Sequence, residues 1–273
     1  MECRKDRRAL PCPTRETKPL VNPNPARYIP GLEPLKTISK DALMLKSLVA
    51  AATAALLAVS LTSGVAAATE ESKKATAMLF DTPHIRDVKP GTKFTYKNIR
   101  KPSDETQLGK GFTDDITVDI ESEGAPGKKN VVVKLYTGDR ARDPQRITDM
   151  DGNPMLVVFL DNTLGRFQQL AGGDRGYLKN HFSRSIGDES TLTPVKIAYN
   201  GAEVDGFRVD VKPFAKDAAR GRMRGFENTA VSIVISDKIP GHFAKMTADF
   251  NNTQKDAATL LDTMTLDGVG EIK

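Results

Sequence analysis

The sequence has no tryptophan and only three histidines and two cysteines in 273 residues. No two histidines stand at the H-x-H or H-x-x-x-H spacing with which one strand or helix holds zinc, so we expect neither a metal centre nor a cofactor. Cys3 and Cys12 both precede an apolar segment at residues 48–61. If that segment is removed, the mature chain has no disulfide, no thiolate ligand and no cysteine nucleophile.

Excess positive charge is confined to the start of the chain. Residues 1–68 hold ten of the 40 Lys and Arg residues and five of the 35 Asp and Glu residues, which leaves thirty of each sign in residues 69–273. A neutral body is not expected to bind nucleic acid. The arginine-rich stretch at 218–224 (AARGRMR) is therefore interpreted as a solvated loop.

The segment 44–68 has the order and sizes of a secretory signal peptide. A short start with Lys46 is followed by the apolar run LVAAATAALLAVSL and by an ending with Ala66 and Ala68 two residues apart. Spanning a bilayer takes about 20 apolar residues, so this shorter run favours cleavage over an anchor. We predict a periplasmic or secreted protein without a membrane span after cleavage.

Residues 1–43 precede this predicted signal and have a different composition. They carry seven of the sixteen prolines and show neither a helical nor a strand period. Such a stretch is expected to be disordered, or to be a mis-annotated extension if synthesis starts at Met44. A genuine cytoplasmic tail is the alternative.

The remaining chain divides into a polar, flexible lead-in at 69–90 and a single β-rich domain at 91–273. Alternating or continuous apolar patterns indicate about nine strands. The segments are 92–97, 115–121, 130–137, 155–160, 195–199, 207–211, 229–236, 242–250 and 260–269. Because strands and helices do not alternate along the chain, we predict a mainly β (α+β) fold with a single curved antiparallel sheet or incomplete β-barrel.

Two short inserted helices are predicted between residues 161 and 187. Asp161, Asn162 and Thr163 are assigned as the first N-cap, and Gly172 and Gly173 as the end of that helix. Asp174 is assigned as the cap of the second. The segment 149–154 (DMDGNP) is interpreted as a turn that leads into the strand at 155–160.

The export signal, the cysteine-free body, the inserted helices and the strand-turn-strand segment 231–250, with its turn at 236–241, together resemble periplasmic lipoprotein carriers of the LolA/LolB type. This resemblance implies an incomplete β-barrel whose concave face is closed by helices, and a role in binding a lipid or other amphiphile. Each methylene of a bound chain would contribute about 0.8 kcal/mol.

If the resemblance holds, the helices cover the ligand site. The apolar ligand contacts would be Val157, Phe159, Phe167, Leu170, Tyr177, Leu178 and Phe182. Anionic head-group contacts would be Arg175, His181 and Arg184. Ordinary core packing is the alternative for each apolar residue.

Two other functions stay open at this point. An envelope structural or assembly protein would bind another envelope protein through a sheet edge. A hydrolase would need a nucleophile beside His181, and no G-x-S-x-G sequence supplies one, so we expect no catalytic residue and no enzyme.

Overall fold

The computed structural model describes the backbone of residues 63–271 and the side chains of residues 70–269. The predicted extension at 1–43 and most of the predicted signal peptide lie outside the described residues. Every described residue belongs to the compact unit Ser47–Lys273.

Nine strands and four helices form the described part of the chain. The strands are β1 (Thr92–Pro102), β2 (Phe112–Glu123), β3 (Lys129–Leu135), β4 (Gln145–Met150), β5 (Thr191–Tyr199), β6 (Ala202–Val211), β7 (Ala230–Ile235), β8 (Phe243–Phe250) and β9 (Leu260–Glu271). The helices are α1 (Ser63–Thr76), α2 (Glu105–Leu108), α3 (Pro154–Ala171) and α4 (Arg175–Glu189).

All nine strands belong to one open, curled antiparallel sheet with the order β4-β3-β2-β1-β9-β8-β7-β6-β5. The first strand, β1, lies near the centre of the sheet, and β2 and β3 follow it outward to β4 at one edge. α3 and α4 then carry it to β5 at the other edge, and it returns through neighbouring strands to β9, which pairs with β1. The predicted fold class, a mainly β protein with a single curved sheet and inserted helices, is confirmed.

One face of this sheet, called the inner face below, carries the apolar residues of the strands. In β1 and β2 the pairs Phe94↔Val118 and Tyr96↔Ile116 stand opposite each other, and all four side chains are fully buried. Successive side chains of a strand point to opposite faces, so this register places the apolar set on one side. The Tyr96 hydroxyl accepts a hydrogen bond from Asn153, the N-cap of α3, which identifies this side as the one that α3 covers.

The first prediction to fail is the strand at 155–160, which forms the first turns of α3. The Asn153 side chain accepts a hydrogen bond from the Met155 N–H at 3.0 Å, and Pro154 occupies the first turn, where its missing N–H costs nothing. Residues 161–163, assigned as the N-cap, lie in the middle of the helix. The ninth strand is β4, whose residues show no regular apolar alternation.

The predicted end of the first helix and start of the second agree with the structure, whereas α4 continues past the predicted end at 187 to Glu189. α3 ends at Ala171, and its C-cap Gly172 has a φ of +80°, which favours glycine. The Asp174 carboxylate caps α4 and accepts a hydrogen bond from the Tyr177 N–H at 2.8 Å. The hairpin of β5 and β6 turns at Asn200 and Gly201, both with positive φ, as a two-residue type I′ turn requires.

The segment at 69–90, expected to be a flexible lead-in, contains the end of α1 and a single π-helical turn at Ala77–Asp81. Ala75, Leu79 and Ile85 are at most 1% exposed and belong to the hydrophobic core. The Ser72 hydroxyl donates a hydrogen bond to the Ser190 carbonyl at 2.9 Å, at the end of α4. The domain boundaries drawn from the sequence stay a prediction.

Candidate functional site

The predicted apolar contacts lie on α3 and α4, and most of them are core residues. Phe159 and Phe167 on α3 are at most 1% exposed, and Leu178 and Phe182 on α4 are at most 5% exposed. Val157 and Leu170 are partly buried. Tyr177 differs, because 46% of its surface is exposed, and so it does not share the buried environment of the others.

The inner face supplies the apolar surface opposite α3. Its fully buried phenylalanines on β1 and β8 are Phe94, Phe243 and Phe250, and Met246 and Met264 stand opposite each other on β8 and β9. Methionine side chains are unbranched and fill irregular gaps, so this part of the interface can adapt to a changed shape. The described structure thus has apolar side chains on both sides of the α3–sheet interface.

Buried hydrogen bonds fix the N-terminus of α3 on the sheet. Asn153 is 2% exposed, and its Nδ2 donates to the Tyr96 hydroxyl at 3.0 Å and to the Gly241 carbonyl at 2.8 Å. Burial raises the pKa of Tyr96, so the phenol stays neutral. Gly241 has a φ of +74°, and a Cβ there would lie 2.9 Å from the Asn153 amide nitrogen.

His84 adds a second link between α3 and the N-terminal segment. The Nε2–H donates to the Met78 carbonyl at 2.8 Å, and Nδ1 accepts from the Asn153 N–H at 3.3 Å. These partners require the neutral ring with its proton on Nε2. Burial lowers the pKa of His84 to about 4, and the ring of His242 stands edge-on at 5.1 Å. This role could not be predicted from the sequence, because His84 lies in the segment expected to be a lead-in.

At the other end of α3, aromatic stacking connects the helix to the loop after β6. The rings of Phe167 and Phe214 are parallel with centroids 3.9 Å apart. In the same loop, the buried Asp217 carboxylate accepts hydrogen bonds from the Tyr177 hydroxyl at 2.7 and 2.9 Å. His181 Nε2 lies 3.4 Å from the same carboxylate, so both side chains of α4 hold the loop.

The three predicted head-group residues do not converge on one site. The Arg175 guanidinium forms an ion pair with Asp161 of α3, and His181 faces Asp217. Arg184 is exposed, and it is separated from Arg175 by nine residues, or half a turn in projection on the helix. The role of these residues in binding stays a prediction.

A small cleft opens where α3 passes over the centre of the sheet. Its volume is about 250 Å³, with open solvent at its mouth included. Phe159 and Met264 form its apolar wall, and the rest of the lining is polar. The polar residues are Asn98, Arg100, Tyr136, Asn162, Thr163 and Asp262, and the whole set is called the polar cleft below.

One ion pair lines the polar cleft, and a second lies near it beside the Phe112 ring. Arg100 on β1 donates to Asp262 on β9 through Nε at 2.9 Å and through a terminal nitrogen at 2.8 Å. Arg140 Nε donates to Asp114 at 2.8 Å, and the Asp114 side chain is 2% exposed. Burial raises the pKa of Asp114, but the hydrogen bonds from Thr137, the Asp115 N–H and Arg140 outweigh it and the net shift is downward. Both guanidinium groups also lie about 5 Å from the Phe112 ring centroid.

Arg166 adds a cation beside the polar cleft, one turn after Asn162 and Thr163 on α3. Its Nε is buried and has no hydrogen-bond partner among the described residues, while one terminal nitrogen donates to Gln169 at 2.7 Å. Burial, and next the neighbouring Arg100, lower the pKa of Arg166. Sequence reasoning missed the polar cleft because Arg100 and Asp262 are 162 residues apart.

The described residues contain neither a metal-ligand cluster nor a membrane-spanning helix. No three His, Cys, Asp or Glu side chains from that part of the chain come together as a metal site. None of the helices found between residues 63 and 271 has both the length and the hydropathy to cross a membrane.

Comparisons with known proteins give distant structural similarity alone. No protein-family model matches the chain, and no relative was found among curated proteins. The solved structure of the lipoprotein LppX from Mycobacterium tuberculosis is similar with a TM-score of 0.26 and 9% identity, over 77% of this chain and 100% of that chain. A LolA superfamily protein from Nitrosomonas europaea gives a TM-score of 0.20 and 8% identity, over 73% and 94%. These matches agree with the loose architectural resemblance stated from the sequence, and at such TM-scores they carry no argument about a ligand or a site.

Proposed function

We propose that the protein is a non-catalytic binder or carrier of a lipid or other amphiphile, in the periplasm or as a secreted protein. The apolar chain would lie between α3 and the inner face, and the polar head would lie at the polar cleft. One observation carries this proposal. The apolar side chains between α3 and the sheet continue, at Phe159 and Met264, directly into a cleft with polar walls.

An apolar chain needs more space than the described structure contains. Pockets for drug-sized ligands measure roughly 300–1,000 Å³, whereas the 250 Å³ of the polar cleft is mostly open solvent at its mouth and encloses no cavity of that size. Binding therefore requires α3 to move away from part of the inner face. A chain of about ten methylenes would contribute roughly 8 kcal/mol of transfer free energy, which offsets the loss of side-chain packing under the helix.

The attachments of α3 determine which part of it moves. Its N-terminus is held by the buried hydrogen bonds of Asn153 and His84. Beyond Phe159 its contacts with the sheet are mainly apolar, and the Asp161–Arg175 ion pair joins it to α4. An acyl chain can replace the apolar contacts without leaving a polar group unsatisfied. We therefore expect α3 to pivot about its N-terminus when a chain enters.

Native mass spectrometry of the protein purified from its own cell envelope tests this proposal. We expect a fraction of molecules to carry an added mass that organic extraction releases as lipid. After removal of that lipid, palmitate should bind with a stoichiometry of one. An empty protein that takes up neither palmitate nor extracted envelope lipid would contradict the proposal.

The non-catalytic part of the proposal has its own test. His181 and Asp217 form the pair closest to a base with an orienting carboxylate, and they are proposed to hold the loop after β6. We expect no turnover of a panel of acyl esters. Turnover that His181→Ala abolishes, in a variant that still folds, would instead favour a hydrolase.

A further inference from the structure

Arg166, a cation without an ion-pair partner among the described residues beside the polar cleft, indicates which head group the site would accept. Around the cleft, Arg100 is paired with Asp262 and Arg140 with Asp114. Arg166 has no carboxylate within ion-pairing distance in the described part of the chain. Arg166 therefore adds a positive charge that no direct ion pair among the described residues balances.

Burial makes the unpaired Arg166 charge costly and favours a ligand that can accept a hydrogen bond from its Nε–H. The Arg166 Nε–H is removed from solvent without an acceptor, and leaving a buried charged donor unsatisfied costs free energy that a bound acceptor recovers. The same helical face presents Asn162 and Thr163, which line the polar cleft and offer further donors. An acceptor-rich anion fits this set, whereas a cationic or purely donating group does not.

We propose that Arg166 and the polar cleft form a binding site for the anionic head group, carboxylate or phosphate, of the amphiphile. This inference rests on the proposed function, because it places the head of a ligand whose chain lies under α3. It assigns the head group to the sheet side of α3, away from the α4 residues Arg175, His181 and Arg184. The Nε–H of Arg166 donates to an oxygen of the anion, and the Arg100–Asp262 pair stays intact as the wall beside it.

Matched ligands that differ only in the head group test this inference. Equilibrium dialysis of the full chain measures the Kd of labelled palmitate and of labelled hexadecanol, which has the same chain length and no charge. A charge-assisted hydrogen bond is worth enough for about a tenfold preference for palmitate. Arg166→Gln should remove this preference by weakening palmitate binding and leaving the Kd of hexadecanol unchanged.

Control variants separate the charge at this site from charge in general. Arg208 lies on the opposite face of the sheet and pairs with Asp210, so Arg208→Gln should keep the preference. Arg166→Lys should retain part of it, because the charge remains without the Nε–H. An unchanged urea midpoint for Arg166→Gln shows that the variant is folded.

The outcomes distinguish this inference from the proposed function. Equal binding of palmitate and hexadecanol by the wild type overturns the head-group site and leaves the carrier proposal standing. A preference lost in Arg184→Gln but kept in Arg166→Gln also overturns it, in favour of the site on α4. Failure of both ligands to bind overturns the carrier proposal. If inorganic phosphate alone binds and Arg166→Gln abolishes this, the anion site is supported and its ligand is a free anion.

Discussion

At the scale of single residues, Asn153 and His84 do most to define the position of α3. The side-chain oxygen of Asn153 caps the helix by accepting the Met155 N–H. Its side-chain nitrogen donates to the Tyr96 hydroxyl on β1 and to the Gly241 carbonyl in the turn before β8. His84 accepts the Asn153 N–H, which a protonated ring could not do. The two side chains therefore connect helix placement to one protonation state.

Stability should fall between pH 7.5 and pH 5 because of His84. Burial lowers its folded-state pKa from 6.5 to about 4. In this window the unfolded chain binds more protons than the folded chain, so falling pH favours unfolding. The expected loss from His84 is about 2 kcal/mol at pH 5. Urea unfolding of the wild type and of His84→Gln at both pH values measures it.

This prediction is decided by how much the free energy of unfolding of each protein changes between pH 7.5 and pH 5, and not by the absolute stability of either. His84→Gln loses a ring from the core and should be less stable at pH 7.5. Its further loss on going to pH 5 should be about 2 kcal/mol smaller than that of the wild type. Equal pH dependence in both proteins would show that His84 is not held neutral.

Gly241 is the residue at which an added methyl group would be most disruptive near the helix cap. Its φ is +74°, and a Cβ would meet Asn153 at 2.9 Å and the Phe94 ring at 3.2 Å. We expect Gly241→Ala to destabilise the protein by about 1–3 kcal/mol. Gly187→Ala in α4, where no atom lies within 4 Å of the added Cβ, is the control. A loss no larger at 241 than at 187 would contradict the packing described.

At the scale of elements, α3 shows what a short apolar run can and cannot predict. The run MLVVFL at 155–160 has the length and the β-branched residues of a strand, and periodicity alone does not separate this from a buried helix. The deciding signal was local, since Asn153 followed by Pro154 is a helix start. β4 was missed for the opposite reason, because its residues show no apolar period and include the exposed Arg146 and Asp149.

Asn153→Ala should cost more than the loss of an ordinary helix cap. The substitution removes the cap and leaves the Tyr96 hydroxyl and the Gly241 carbonyl buried without this partner. We expect about 2–4 kcal/mol of destabilisation by urea unfolding. The matched control is Asp174→Ala, which removes the exposed cap of α4 and should cost about 1 kcal/mol.

Amide hydrogen exchange measures the effect of this substitution on α3 itself. In Asn153→Ala the amides of α3 should exchange faster, while those of the central strands β1 and β9 change less. Equal costs for the two cap variants, with α3 exchange unchanged, would mean that the helix is held by its apolar face alone.

At the scale of the whole described unit, the sheet topology explains why the strands could be predicted from the sequence and the polar cleft could not. Most strands could be read from the sequence because alternation is local, as in Ile116, Val118 and Ile120 of β2. The polar cleft could not, because it depends on the pairing of β1 with β9 and on the crossing of α3 over both. The head-group residues predicted on α4 were chosen because they lie close together in the sequence. Closeness in sequence does not show which charged side chains are paired in the folded sheet.

The same topology supports the carrier interpretation. The segment that crosses from one sheet edge to the other, α3 and α4, covers the inner face without contributing a strand to it. Its displacement would therefore break no sheet hydrogen bonds, whereas removal of any strand would. An open sheet with a helical cover is for this reason suited to repeated opening.

Photo-crosslinking with a palmitate analogue that carries a diazirine along its chain tests the central claim most directly. The account predicts saturable labelling of peptides from α3 and from the inner face, including Phe159 and Met264, and competition by unlabelled palmitate. Lys245, which precedes Met246 and points to the opposite face of β8, marks the peptide position that should stay unlabelled. Labelling confined to exposed residues of the outer face, or labelling that palmitate does not compete away, would contradict it.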